Sequence, residues 1–125
     1  MATIVIADDS YVTRAVLAIL LEGAGHQVLG QFENGRDALR AVPTLRPDVL
    51  LVDMLMPHLD GLDVVRGLRA QGLPTKIIML SSVSVLAKVR EAKAVGVDYY
   101  ILKPFEGEKV LDTVARCLQG LPVAV

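Results

Sequence analysis

The chain contains no tryptophan, and its aromatics are three tyrosines and two phenylalanines. So few flat rings leave little for single-stranded nucleic acid to stack on. Its single cysteine, Cys117, excludes an internal disulfide and suits a reducing compartment such as the cytoplasm. Charge of one sign is not in excess. The 13 Lys+Arg face 14 Asp+Glu, a formal net charge of −1, so nothing general draws the chain to nucleic acid or an anionic membrane. The apolar run Val16 to Leu21 falls far short of the ~20 residues that span a bilayer. The N-terminus has neither the charged start nor the long apolar stretch of a signal peptide. What is present is 125 residues, 53% of them hydrophobic. That is too apolar for disorder and the right length for one domain, which buries roughly two-thirds of the surface of its unfolded chain.

Five short apolar runs stand out: Thr3–Ala7, Val28–Phe32, Val49–Val52, Lys76–Leu80 and Tyr99–Leu102. They are nearly continuous, with little polar alternation, as in parallel strands covered on both faces. Between them lie stretches of helical spacing. Val12, Val16, Ile19 and Leu20 follow Ser10, a candidate N-cap, and Ala38, Leu39 and Val42 form a shorter stripe. Leu62, Val65 and Leu68 follow Asp60; Val85, Val89 and Ala92 follow Ser84; Val110, Leu111, Val114 and Leu118 close the series. Gly23 and Gly25, Gly72, Gly96 and Gly120 stand where helices should stop. Pro43 interrupts the second helical pattern and predicts an early end or a break near Val42. A strand-helix unit repeated five times predicts right-handed crossovers and a three-layer α/β fold of flavodoxin type, a doubly wound (βα)5 arrangement.

Asp8 and Asp9 follow the first strand and Asp53 the third, while Ser81 ends the fourth and Lys103 follows the fifth. In a parallel sheet of order 2-1-3-4-5 these positions share one rim, where doubly wound sheets bind ligands. Three carboxylates with one ammonium suit a hard, oxygen-liking cation such as Mg²⁺. A carboxylate beside such a cation can attack a phosphoryl group. A hydroxyl and a lysine can then hold its oxygens. Each residue alone has a plainer reading. An Asp after a strand is commonly a cap, Ser81 a turn residue, and Lys103 a solvated side chain. Their convergence from four strand ends favours the metal-assisted phosphoryl site.

The motifs Asp8-Asp9-Ser10, Asp53 through Pro57 with Asp60-Gly61, Ser81-Ser82, and Gly96 through Phe105 closely resemble receiver domains of two-component response regulators, the chemotaxis-regulator-like fold. The resemblance runs from Ile4 to about Leu118, which places a receiver domain over 1–120 and a docked terminus or linker stub over 121–125. It implies that Asp53 is the phosphoacceptor, charged by a phosphohistidine on a sensor histidine kinase or phosphotransfer protein. Asp9 and Asp53 would ligate Mg²⁺ (or Mn²⁺) directly, Asp8 through water, and Leu55 through its backbone oxygen. Ser81 would hydrogen-bond the phosphoryl group, Lys103 would pair with it, and Tyr100 would change rotamer on activation. Lys103–Pro104 would be a cis peptide.

The readout would be the face formed by the fourth helix, fifth strand and fifth helix, with Lys88, Arg90, Lys93 and Lys109 on or near it. It would bind a downstream protein or output domain, with no direct role for nucleic acid or membrane. Dimerisation on activation is left open. The runs Met56–Leu62 and Tyr99–Phe105 also look like receivers of sporulation-type transcriptional regulators. Leu55 and Val83 stand where many relatives carry polar residues that influence hydrolysis, which predicts a long-lived phosphoryl group. The resemblance implies a signalling phosphoacceptor, not an enzyme acting on others.

Other functions fit less well. A haloacid-dehalogenase-like phosphatase would place an acid two residues after its nucleophile, where Leu55 stands. A pseudo-receiver would lack an acidic-pair Asp, the acceptor or the Lys. A flavin site would need hydroxyls and glycines where the loops carry Asp. His58 reads as an exposed loop residue, His26 as surface, and Cys117 as a small buried hydrophobe. Gly23-Ala-Gly25 is not a dinucleotide fingerprint.

Overall fold

The computed structural model describes residues 1–82 and 86–121. Val83, Ser84 as a helix cap, Val85 and the tail beyond Leu121 lie outside the described residues. Strands and helices alternate as β1 (Thr3–Ala7), α1 (Tyr11–Gly23), β2 (Gln27–Phe32), α2 (Gly35–Leu45), β3 (Val49–Asp53), α3 (Gly61–Ala70), β4 (Lys76–Ser81), α4 (Leu86–Val95), β5 (Tyr99–Leu102) and α5 (Gly107–Gln119). The five strands form one parallel sheet, as the run pattern predicts, and its order is β2-β1-β3-β4-β5, the one expected of this doubly wound fold.

The continuous apolar strands follow from the layers. Val5, Leu50, Val52, Ile77 and Met79 pack on one face with α2 and α3; Ile4, Ile6, Leu51, Ile78 and Leu80 pack on the other with α1 and α5. Successive strand residues point to opposite faces, and each face meets helices, so neither can be polar. β1, β3 and β4 are buried along almost their whole length, and that rigid centre carries the rim residues.

Ser10 and Asp60 cap α1 and α3, accepting from Thr13 N–H at 3.2 Å and Asp63 N–H at 2.8 Å. Gly25, Gly72, Gly96 and Gly120 adopt positive φ at the helix ends where the sequence places stops.

Three expectations change. α2 runs through Pro43 to Leu45 and ends at Arg46, which is left-handed and donates to Val42 O at 2.8 Å. Proline removes one N–H, and in the last turn that loss leaves the remaining hydrogen bonds intact. In α1, Val12, Val16 and Ile19 are 68%, 43% and 73% exposed, while Leu17, Ala18 and Leu21 face the sheet. This helix is apolar around most of its circumference, so spacing alone selects the wrong stripe. Leu118 is likewise exposed, and its neighbour Cys117 takes the buried position in α5. Among the described residues, no helix is long and apolar enough to cross a membrane.

Candidate functional site

The sheet brings the predicted rim residues together. β1 pairs with β3, β3 with β4 and β4 with β5, so Asp8, Asp53, Ser81 and Lys103 emerge side by side at the carboxyl edge. Asp53 and Ser81 are the last residues of their strands, which fixes their backbones in the ladder. Carboxylate oxygens of Asp8, Asp9 and Asp53 lie within 4.8 Å of one another.

The three aspartates are not equivalent. Asp8 is fully buried, and both its oxygens are engaged: Oδ1 accepts from Ser10 N–H at 2.9 Å and Oδ2 from Lys103 Nζ at 2.7 Å. Asp9 is exposed. Asp53 is buried but for a small opening, with Lys103 Nζ at 3.3 Å from its Oδ2. Burial, then the charge of Asp8, push the Asp53 carboxyl up to about 6; Lys103 and the Leu55 N–H act in the opposite direction. Burial alone would pull the Lys103 ammonium down, but its hydrogen bond to Asp8 and the two carboxylate charges outweigh that, and it stays protonated more firmly than a free lysine.

This donor set fits a hard divalent cation. It is oxygen-only, acidic and short of positive charge, and imidazole and thiol are both absent from it. His58 is exposed and turned toward Arg36, with 3.0 Å between Arg36 Nη2 and its Nδ1. Cys117 is buried across the sheet, and burial pushes its thiol up to about 11, far from reactive.

Around the cluster, Ser81 is buried with its hydroxyl 3.7 Å from Met54 Sδ. Tyr100 is half-buried against the α2–α3 side of the core, on a groove between α4, β5 and α5 also lined by Val89, Lys93, Phe105 and Lys109. The Lys103–Pro104 peptide is cis. Leu55 is 60% exposed, and Val83 lies outside the described residues. His26 departs from its surface reading: it is half-buried and its Nδ1 accepts from Ala2 N–H at 3.1 Å. Burial, then the nearby N-terminal charge, pull its pKa down.

Three residues have roles at the site that the sequence does not assign them. Met54 supplies the sulfur beside Ser81. Gly61 packs so closely that a Cβ there would meet Asp53 O at 2.4 Å, and its N–H donates to Met54 O at 2.7 Å. Arg14 reaches back from α1 to the Asp8 carbonyl at 2.6 Å.

A family model described as the response regulator receiver domain matches residues 4–115. The chain belongs to the response regulator receiver domain family. The receiver is similar to the chemotaxis protein CheY of Thermotoga maritima, 32% identical over 113 residues, covering 90% of this chain and 94% of that one. It is also similar to sporulation initiation phosphotransferase F of Bacillus subtilis, 30% identical over 115 residues and 92% of each chain. The solved chemotaxis protein CheY4 of Vibrio cholerae superposes with a TM-score of 0.87 at 34% identity, covering 94% and 98% of the two chains. This receiver thus has the fold and the acidic rim of a two-component signalling domain.

Proposed function

We propose that Asp53 accepts a phosphoryl group from a phosphohistidine on a sensor histidine kinase or phosphotransfer protein, in a Mg²⁺-dependent (or Mn²⁺-dependent) reaction. The observation that carries this reading is the difference among three clustered carboxylates. Asp8 has both oxygens engaged and Asp9 lies at the exposed edge, while Asp53 sits at a strand end with an opening to solvent and Lys103 beside it. Asp9 and Asp53 would hold the cation directly, with Asp8 behind them and the Leu55 carbonyl supplying a further oxygen. When bound, the cation supplies positive charge to the phosphoryl oxygens and to the crowded carboxylates.

The chain's own groups carry the rest. An Asp53 carboxylate oxygen bonds to phosphorus as the P–N bond to the donor imidazole breaks, and the imidazole nitrogen regains a proton from solvent. Lys103 keeps one charge beside the transferred group, and Ser81 offers a hydroxyl from the neighbouring strand end. Asp53 must be ionised to attack, and crowding by Asp8 opposes that. A cation held by Asp9 and Asp53 would offset that crowding and favour the ionised Asp53 carboxylate.

The added charge of about two units would draw Ser81 inward and let Tyr100 repack, remodelling the α4–β5–α5 groove that receives a downstream protein or output domain. On this reading the receiver catalyses only its own phosphorylation and a slow self-dephosphorylation, in the cytoplasm. Incubation with an acyl phosphate and Mg²⁺, followed by intact mass, tests it. One phosphoryl group should accumulate on the wild type and none on Asp53→Asn. Turnover of a phosphate ester without accumulation would instead mark a phosphatase, and no reaction at all a pseudo-receiver.

A further inference from the structure

We propose that Arg14 is a positioning residue for the Asp8–Asp9 pair, setting the geometry of the cation site through the peptide that joins them. The proposal rests on the reading of that cluster as a Mg²⁺ site.

The β1 ladder ends at Ala7, which pairs with Phe32 on one side and Val52 on the other. Asp8 lies one residue beyond it and is nevertheless held at every polar atom. Its N–H donates to Phe32 O at 3.0 Å, Oδ1 accepts from Ser10 and Oδ2 from Lys103. The last of these atoms is its carbonyl oxygen, and the partner there is Arg14 Nη1 at 2.6 Å. That carbonyl belongs to the peptide plane linking Asp8 to Asp9. Because the plane is rigid, holding its oxygen sets the direction in which the Asp9 Cα, and then its carboxylate, leaves the sheet. Asp9 is exposed, and none of the described side-chain hydrogen bonds reaches its carboxylate. Its placement is therefore inherited from its backbone.

Arg14 is itself anchored. Its N–H donates to Ser10 O at 3.0 Å in the first turn of α1, and its guanidinium lies over the Tyr11 ring, 5.8 Å from the centroid. The planar fork can hold the carbonyl and the ring face at once, which a lysine ammonium does less well. Arg14 also brings a positive charge to the backbone of Asp8, at the inner end of the cluster. The two effects predict opposite outcomes: loss of positioning weakens cation binding, whereas loss of a repelling charge alone would strengthen it.

The test compares wild type, Arg14→Met and Arg14→Lys by the Mg²⁺ dependence of the melting temperature, and by the rate of phosphorylation from an acyl phosphate against Mg²⁺ concentration. Arg14→Met should raise the Mg²⁺ midpoint about tenfold in both readouts, as loss of a partner behind a metal ligand commonly does. The rate at saturating Mg²⁺ should hold. Arg14→Lys should lie between, and remains informative if the methionine variant folds poorly. A midpoint unchanged or lowered in both variants overturns the proposal, and a lower melting temperature with an unchanged midpoint reduces Arg14 to scaffolding. A wild-type melt and rate indifferent to Mg²⁺ would instead refute the cation site itself, and the proposal with it.

Discussion

Lys103 stands nearer to Asp8 than to Asp53, at 2.7 Å against 3.3 Å. The single ammonium of the site is therefore chiefly the counter-ion of a fully buried carboxylate whose other oxygen is held by a backbone N–H. Asp53 has only the second share of that charge, too little to offset burial and the charge of Asp8, which push its carboxyl up. A phosphoryl group on Asp53 would compete for Lys103, and release from Asp8 is the local rearrangement that phosphorylation would drive.

Removing the ammonium should expose this imbalance. Lys103→Met leaves Asp8 buried without a counter-ion, and about 2 kcal/mol of stability should be lost in the metal-free protein, after allowance for partial exposure of the pair. The loss should be smaller at pH 5, below the raised pKa of Asp53, where that carboxyl is largely protonated. Urea unfolding of wild type and variant at pH 5 and 7.5 measures both values.

The pH dependence follows from Asp53. Its carboxyl ordinarily titrates near 3.8 and in the fold near about 6, so the folded state binds the proton more tightly across that window. Protonation thus favours folding. The contribution is fully present below pH 3.8 and is lost as pH rises through about 6. The loss should be on the order of 1–2 kcal/mol once solvent access is allowed for. Asp53→Asn should flatten this part of the stability profile, and so should saturating Mg²⁺, because a cation favours the ionised carboxylate. Chemical denaturation from pH 4 to 7.5, with and without Mg²⁺, reads the slope directly.

Clustered like charge should also oppose folding when no cation neutralises it. Asp9→Ala should raise the melting temperature of the metal-free protein. In the wild type, Mg²⁺ at ten times its dissociation constant should contribute about 1.4 kcal/mol, roughly 5 °C for a domain of this size. Asp9→Ala should lose most of that response. Calorimetric melts with chelator and with millimolar Mg²⁺ decide it.

Leu55 should lengthen the life of the phosphoryl group. Its side chain is exposed beside the acceptor and has no group that could orient an attacking water. Replacement by a hydrogen-bonding residue, Leu55→Asn, should speed loss of the phosphoryl group about tenfold. Phosphate release from purified phosphoprotein measures it. A wild-type half-life of seconds would contradict the assignment.

Much of this was legible in the chain. Strands covered on both faces must be apolar throughout, so β1, β3 and β4 announce themselves, and strand ends that supply Asp8, Asp53, Ser81 and Lys103 announce the rim. What was not legible depends on packing. The outer face of α1 is apolar where solvent should make it polar, so Val12, Val16 and Ile19 mimic a core stripe. Pro43 falls one turn too late to break α2. The clamp from Arg14 to Asp8 joins a helix back onto the loop before it, and nothing in spacing alone distinguishes such an arginine from a solvated one. Gly61 stood in a recognised motif, yet the 2.4 Å approach to Asp53 O that demands it is visible only in three dimensions.

The central claim is that Asp53, among three clustered aspartates, takes the phosphoryl group. Peptide mapping of the receiver after reaction with an acyl phosphate and Mg²⁺ tests it most directly. The account predicts one phosphoryl group per chain, carried by the peptide containing Asp53, absent from Asp53→Asn and strongly slowed in Asp9→Ala. A phosphoryl group on the peptide containing Asp8 and Asp9, or undiminished phosphorylation of Asp53→Asn, would contradict it.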